Sequence, residues 1–195
     1  MHASLKRDTG FSLTELVVTL AVAMILMAVG LPMFLRAYHS YQLSSAATQV
    51  ADILRLTRYE AIRLNKKVPC MIEPSATNPG MTSLWADSNW NGVLDPTEKT
   101  ILLGNSGNLV DGGTVPDTAA LIASAVQSAP TTPGASPIWF DARGAISSPT
   151  STKVNVFYLA SSVAPEAGFR AVLLMPAGSI QIWTADTTGN WQQQR

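Results

Sequence analysis

The 195-residue chain has one cysteine, two histidines and charge on only 13% of its residues, with 13 Lys+Arg balanced by 13 Asp+Glu. A lone Cys70 forms no internal disulfide and supplies too few thiolates for a cysteine zinc site, so neither kind of staple holds the fold. His2 and His39 leave the usual metal and proton-transfer sites thinly supplied. No Ser/His/Asp or Cys/His set is available, so an enzyme is the least supported class, and Cys70 in an apolar stretch reads as a small core residue. The charge balance, with 47% hydrophobic residues, excludes a basic nucleic-acid arm, an acidic disordered protein and a collagen-like repeat. The length allows one domain with an appendage.

What is present is a long apolar run. From Leu16 to Leu35 the chain reads LVVTLAVAMILMAVGLPMFL without a charge, and as a helix this spans ~30 Å, one bilayer core. A buried soluble helix carries polar residues on one face, whereas the strongest here is Thr19. Arg36, Ala37 and Tyr38 follow in place of a small-residue cleavage site, so the segment reads as a retained anchor rather than a secretory signal. Lys6 and Arg7 precede it, which by the positive-inside rule holds the N-terminus in the cytoplasm and sends the larger C-terminal part across. Glu15 stands at the edge of the run, where an unpaired carboxylate drawn to the bilayer centre costs up to ~3 kcal/mol. It needs either a cationic partner or a shallow place against the positive end of the helix dipole.

The stretch Gly10-Phe11-Ser12-Leu13-Thr14-Glu15-Leu16-Val17-Val18, followed by an apolar helix, resembles the N-terminal signature of type IV pilins and type II secretion pseudopilins. The resemblance implies a leader at 1–10, cut by a prepilin peptidase between Gly10 and Phe11, and N-methylation of Phe11. It also implies that Glu15 pairs with the N-terminal amine of a neighbouring subunit during filament assembly. Thr9 stands where that family usually has Lys or Arg.

Pro32 inside the run predicts a kink or a locally melted turn, a break that similar filament subunits use. Beyond it, Leu43, Ala47, Val50, Leu54, Thr57, Ala61 and Leu64 recur at spacings of three and four, which predicts one helical stripe continuing to about Asn65 and packing on the head's sheet. Six basic residues against two acidic lie between Arg36 and Lys67, and five basic against nine acidic lie beyond. That asymmetry suits staggered subunits with complementary faces and suits an ordinary solvated face equally well.

After Val68 the pattern changes to short β-type runs: 68–73, 83–86, 100–103, 138–140, 154–159, 169–175 and 179–183, the last two joined by Pro176-Ala177-Gly178. An antiparallel sheet wrapped around the helix is the simplest arrangement. The Gly, Ser, Ala, Thr and Pro-rich stretch 104–137 reads as a long loop or insertion, with an apolar patch at 119–126 suited to a short helix. The expected fold is therefore α+β: a transmembrane half-helix at 11–35, an amphipathic half at 36–67, and a β-rich head at 68–195. This order of elements, with Leu54-Arg55-Leu56-Thr57-Arg58-Tyr59-Glu60-Ala61-Ile62 at the helix end and an acidic Asn-Gly hairpin, resembles the GspH/FimT-like minor pseudopilins.

Asp87-Ser-Asn89-Trp-Asn91-Gly92-Val-Leu-Asp95-Pro-Thr-Glu98 matches the calcium-loop pattern D-x-[DN]-x-[DN]-G-x5-E at every fixed position. Its oxygens at alternate positions suit one hard cation. Its flanks read as extended rather than helical, so a long hairpin whose Asp and Asn side chains cap their own backbone is the favoured reading. Some FimT-type relatives bind DNA through a C-terminal Gly-Arg-x-Arg motif; here Gly178-Ser179-Ile180-Gln181 stands in its place, without either arginine. The head's acidic balance gives phosphate little to meet, and Trp191 and Arg195 offer one stacking and one charge contact.

The expectation is a minor pseudopilin or pilin of the bacterial inner membrane, with its head in the periplasm before it enters a pseudopilus or pilus. It has no cofactor, with calcium at Asp87–Glu98 as the one exception weighed. Its expected partners are prepilin peptidase, other pilin-like subunits and the inner-membrane assembly platform. The alternatives are a competence pilin that binds DNA and an anchored domain that never polymerises.

Overall fold

The computed structural model describes residues 12–116, 128–130, 136–147 and 154–194. The chain divides into two compact units, Met1–Ala37 and Tyr38–Arg195. Helix α1 runs Leu13–Leu64. Ser12 caps its start: the Ser12 hydroxyl accepts the Glu15 N–H at 3.3 Å and its carbonyl accepts that of Leu16 at 3.2 Å. At the other end Asn65 adopts a left-handed conformation, φ 49°. Lys66 N–H then bonds the Ala61 carbonyl and Asn65 N–H that of Ile62, each at 3.2 Å, a Schellman closure.

Of the kink or locally melted turn expected at Pro32, the melted turn is not found: the helix runs through it. Proline removes one backbone donor, at ~3 kcal/mol in a helix interior. Opening a whole turn would free several more backbone groups, each costing several kcal/mol where no water reaches them.

In the second unit, α1 turns its stripe inward. Leu43, Ala47, Val50, Leu54 and Ala61 are fully buried, and Ala46, Ala51 and Ile53 widen the stripe beyond the predicted positions. Strands β1 (Val68–Pro74), β2 (Thr82–Ala86), β3 (Thr100–Leu103) and β6 (Ile138–Phe140) form an antiparallel sheet in the order β3-β2-β1-β6. A second sheet has the order β10-β9-β8-β7-β4. It comprises β4 (Asn108–Val110), β7 (Val154–Ala160), β8 (Phe169–Leu174), β9 (Ile180–Ala185) and β10 (Trp191–Gln193). Strand β5 (Ser128–Pro130) joins it by pairing parallel to β7.

Two sheets therefore replace the single one expected, and the region 104–137 supplies strands to one of them instead of a plain loop. The apolar patch at 119–126 lies outside the described residues. Strand β7 explains the main core. Phe157 and Leu159 face α1, while Val154, Val156 and Tyr158 face a second cluster with Val115, Ala171 and Leu173. A strand covered on both faces reads as a continuous apolar run.

Gly178, φ +79°, closes the β8–β9 turn, and a Cβ there would stand 2.0 Å from the Gly144 carbonyl oxygen. Only glycine fits that approach.

Candidate functional site

The N-terminal region is built by a sequence with apolar residues on every side. From Leu16 to Leu35 the large apolar side chains are exposed, and α1 is long and apolar enough to cross a membrane. Glu15 sits in its first turn, three residues after the cap. Ser12-Leu-Thr-Glu15 has the form of a capping box, a signal legible in the sequence and not used there. Its place is thus beside the unsatisfied N–H groups of the first turn, where a negative charge is favoured. Gly10 and Phe11 lie outside the described residues.

The acidic loop joins β2 to β3, so its flanks are strands as the sequence suggests. Asp87, 3% exposed, accepts the Trp90 N–H at 2.6 Å on one oxygen and the Gly92 N–H at 2.9 Å on the other. Asn89 and Asn91 each accept the N–H two residues on, at 3.0 and 2.8 Å, and both amides donate to the Asp95 carboxylate. Glu98 accepts the N–H groups of Ser88 at 2.9 Å and Asp95 at 3.2 Å. All five candidate ligands are therefore brought into one loop and bonded within it. Among the described residues, no group of three or more His, Cys, Asp or Glu side chains is gathered to hold a metal ion.

One bulky residue holds this loop to the helix end. Trp90 adopts φ 69°, a conformation that costs of order 1–3 kcal/mol for a bulky side chain. Its indole N–H donates to the Lys67 carbonyl at 2.7 Å, and its ring meets Trp139 edge-on at 5.7 Å. The Lys66 ammonium lies 5.5 Å from the same ring and donates to the Ser88 carbonyl at 2.8 Å.

A second pin, invisible in the sequence, is Arg170 on β8. It is 6% exposed. Its guanidinium donates to the hydroxyls of Ser40 at 2.8 Å and Ser44 at 3.1 Å on α1, and to the Phe169 carbonyl at 2.9 Å. Burial pulls its pKa below the ordinary guanidinium value.

Gly178-Ser179-Ile180-Gln181 forms the β8–β9 turn and the start of β9. Trp191 is half-buried, 6.2 Å from the Tyr158 ring, with its N–H donated to the Pro116 carbonyl at 3.4 Å. It is a packing residue. Arg195 lies outside the described residues.

With this geometry in place, comparison with known families is decisive. A model of the family described as type II transport protein GspH matches residues 46–175, more than half of the chain. The chain belongs to the GspH family. A model of the prokaryotic N-terminal methylation motif matches residues 5–31, the span that holds Gly10, Phe11 and Glu15. No curated protein and no solved structure matches the chain. The GspH match begins at Ala46 on the buried face of α1 and ends at Met175, in the turn after β8. It thus takes in Arg170, the acidic loop and most of both sheets, and leaves β9 and β10 beyond it.

Proposed function

We propose that this GspH protein is a minor subunit of a type II secretion pseudopilus or a type IV pilus. Residues 1–10 are a leader removed by prepilin peptidase, the new N-terminal Phe11 is methylated, and 11–35 anchor the subunit in the inner membrane with its head in the periplasm. The carrying observation is that one chain joins the methylation motif at 5–31 to the GspH region at 46–175. A helix apolar on every side supports the same reading, because such a surface suits lipid first and neighbouring helices later. The role is mechanical and the assembly platform and other pilin-like subunits are its partners. Mass spectrometry of the protein from its native membrane tests this directly. The expected N-terminus is Phe11 carrying one added methyl group, whereas an intact Met1 would favour an anchored domain that never polymerises.

A further inference from the structure

The second unit has two ends, and its own contacts fix which one the chain enters by. Strand β8 runs along α1 from one end to the other: Arg170 at its start bonds Ser40 and Ser44, whereas a Cβ on Gly178, in the turn after it, would stand 2.9 Å from the Arg58 Nε. The loop before β8 therefore lies beside the first turns of α1 in this unit, and the Glu166 carboxylate there is 3.7 Å from the His39 Nδ1. Loop 104–107 lies with it, since the Asn105 carbonyl accepts the Ser162 N–H at 3.0 Å and a Cβ on Gly107 would meet Ala46 and Leu43. Loop 75–80 joins them through Asn108, which pairs with Ala160 and donates its side-chain amide to the Gly80 carbonyl at 2.8 Å. Tyr38 is three residues past Leu35, where the apolar run ends, so even a fully extended chain keeps this end of the head within ~11 Å of that run.

Two bulky side chains with apolar surface stand out on this rim. Tyr41 on α1 is 72% exposed, and Val163 in the β7–β8 loop is 63% exposed. Val163 is held out by its neighbours: the Ser162 N–H and hydroxyl both bond the Asn105 carbonyl, and Ala164, fully buried, donates its N–H to the Ser161 hydroxyl at 3.1 Å. Charge is scarce here. The β9–β10 turn also reaches this end, since a Cβ on Gly168 would meet the Ala185 carbonyl. Loops 75–80, 104–107, 161–168 and 186–190 together carry two charged residues, Glu166 and Asp186. Glu166 faces His39, and the Asp186 carboxylate is taken up by Thr188 and Asn190 of its own turn. At the opposite end stand Arg58, Lys66, Lys67, Asp87, Asp95 and Glu98, where Trp90 ties the acidic loop to the helix end.

We propose that this rim docks on the lipid headgroup layer, with Tyr41 and Val163 seated in it, and holds the head down on the bilayer beside its own anchor. The inference rests on the membrane-anchored reading of 11–35. A tyrosine joins an apolar ring to a polar tip, the combination enriched where a membrane meets water. Side chains on α1 lean toward its N-terminus, here toward the anchor. A charged partner is disfavoured because the rim leaves it little to pair with. Two side chains would hold a vesicle only weakly from solution, but the anchor makes the contact intramolecular, so a small gain suffices. The contact orients free subunits and is given up when a subunit is drawn into a filament.

The test places the full-length protein, one copy per disc, in phosphatidylethanolamine–phosphatidylglycerol nanodiscs. These are doped with a lipid whose photoreactive diazirine sits near the top of its acyl chain, and labelled residues are mapped by mass spectrometry. Labels should fall on 16–35, on Tyr41 and on 161–165, and not on the acidic loop at 87–98. Tyr41→Ser combined with Val163→Ser, both at exposed positions, should cut labelling of 161–168 about fivefold or more, since that apolar surface is no longer drawn out of water. Val93→Ser, equally exposed at the opposite end, should leave it unchanged. The pattern should persist in about 1 M salt, where charge attraction is screened. Labels confined to 16–35 would overturn the docking and leave the anchor standing, whereas no labels there either would overturn both. Rim labels that vanish at high salt would assign the contact to headgroup charge, and a rim unlabelled in single-copy discs yet shielded from solvent when copies are crowded would make it a subunit contact; either result sinks the proposal.

Discussion

Arg170 shows how a single residue can tie distant parts of the head together. A buried guanidinium with no carboxylate partner among the described residues is tolerable only if each donor finds an oxygen, and here Ser40, Ser44 and the carbonyls of Ala167 and Phe169 supply them. Arg170→Lys loses the planar fork and should cost about 1–2 kcal/mol, and Arg170→Ala about 2–4 kcal/mol, in urea unfolding of the purified protein. A neutral alanine variant would remove the pin from this account. Cys70 carries the opposite lesson. It is fully buried against Thr57, and burial pushes its thiol up to about 12. At neutral pH almost no thiolate exists, so iodoacetamide should leave the folded protein unmodified and label it readily in urea.

Among the elements, the two loops rich in Asp and Asn are held by side chains standing in for backbone partners. In the β9–β10 turn the Asp186 carboxylate accepts from the Asn190 side chain, from both the hydroxyl and the N–H of Thr188, and from the Asn190 N–H. Those bonds, the Asn190 side chain foremost, hold its carboxyl well below the usual range. The folded pKa is depressed, so the stabilisation is complete above the ordinary carboxylate value near ~4 and fades as pH falls through the folded one. Protection of the Thr188 and Asn190 amides, taken relative to their intrinsic exchange rates at each pH, should therefore fall in acid, and Asp186→Asn should abolish that dependence. For the β2–β3 loop, Asp87→Ala leaves two backbone donors unpaired and should cost about 2 kcal/mol or more. Because the loop's own bonds already close it, chelator and excess calcium should give the same melting temperature; a calcium-dependent rise lost in Asp87→Asn would instead identify a cation site. The β2–β3 loop was legible as an Asp/Asn pattern, and the helix stripe as a period of three and four; the Asp186–Asn190 turn was not read. Strands β4, β5 and β10 were not, because Asn108-Leu-Val and Ser128-Ala-Pro lack the β-branched and aromatic content that marks Ile138-Trp-Phe, and Trp191-Gln-Gln resembles a polar tail. The division into two sheets depends on which strands meet across long separations. Arg170 was unreadable for the same reason, its serines lying 126 and 130 residues away.

For the molecule as a whole, the proposed function turns on Glu15, an acid at the start of a helix whose Leu16–Leu35 stretch is apolar on every side. Local charge elsewhere is partly spent within the chain, as Arg55 pairs with Asp52 at 2.8 Å and Arg63 with Glu60 at 2.6 Å, so the basic character of 36–67 is weaker as a docking field than its count suggests. Glu15 has no such basic neighbour within its own first turn, and its capped position stabilises the carboxylate only while the helix end stays near water. Moving that end into a bundle of packed helices removes the water and leaves a charge whose cost reaches ~3 kcal/mol near the bilayer centre. In the proposed filament a neighbour's N-terminal amine would offset that cost by pairing, and the pair would then act as a register mark, since helices in lipid otherwise associate by packing alone. Glu15→Ala should therefore insert and lose its leader normally, as mass spectrometry of the membrane fraction would show. Its share in sheared filaments should nevertheless fall by about tenfold or more, the equivalent of about 1.4 kcal/mol of lost docking energy. Normal incorporation of a correctly cleaved alanine variant would mean that packing alone sets the register and that Glu15 serves only the helix end.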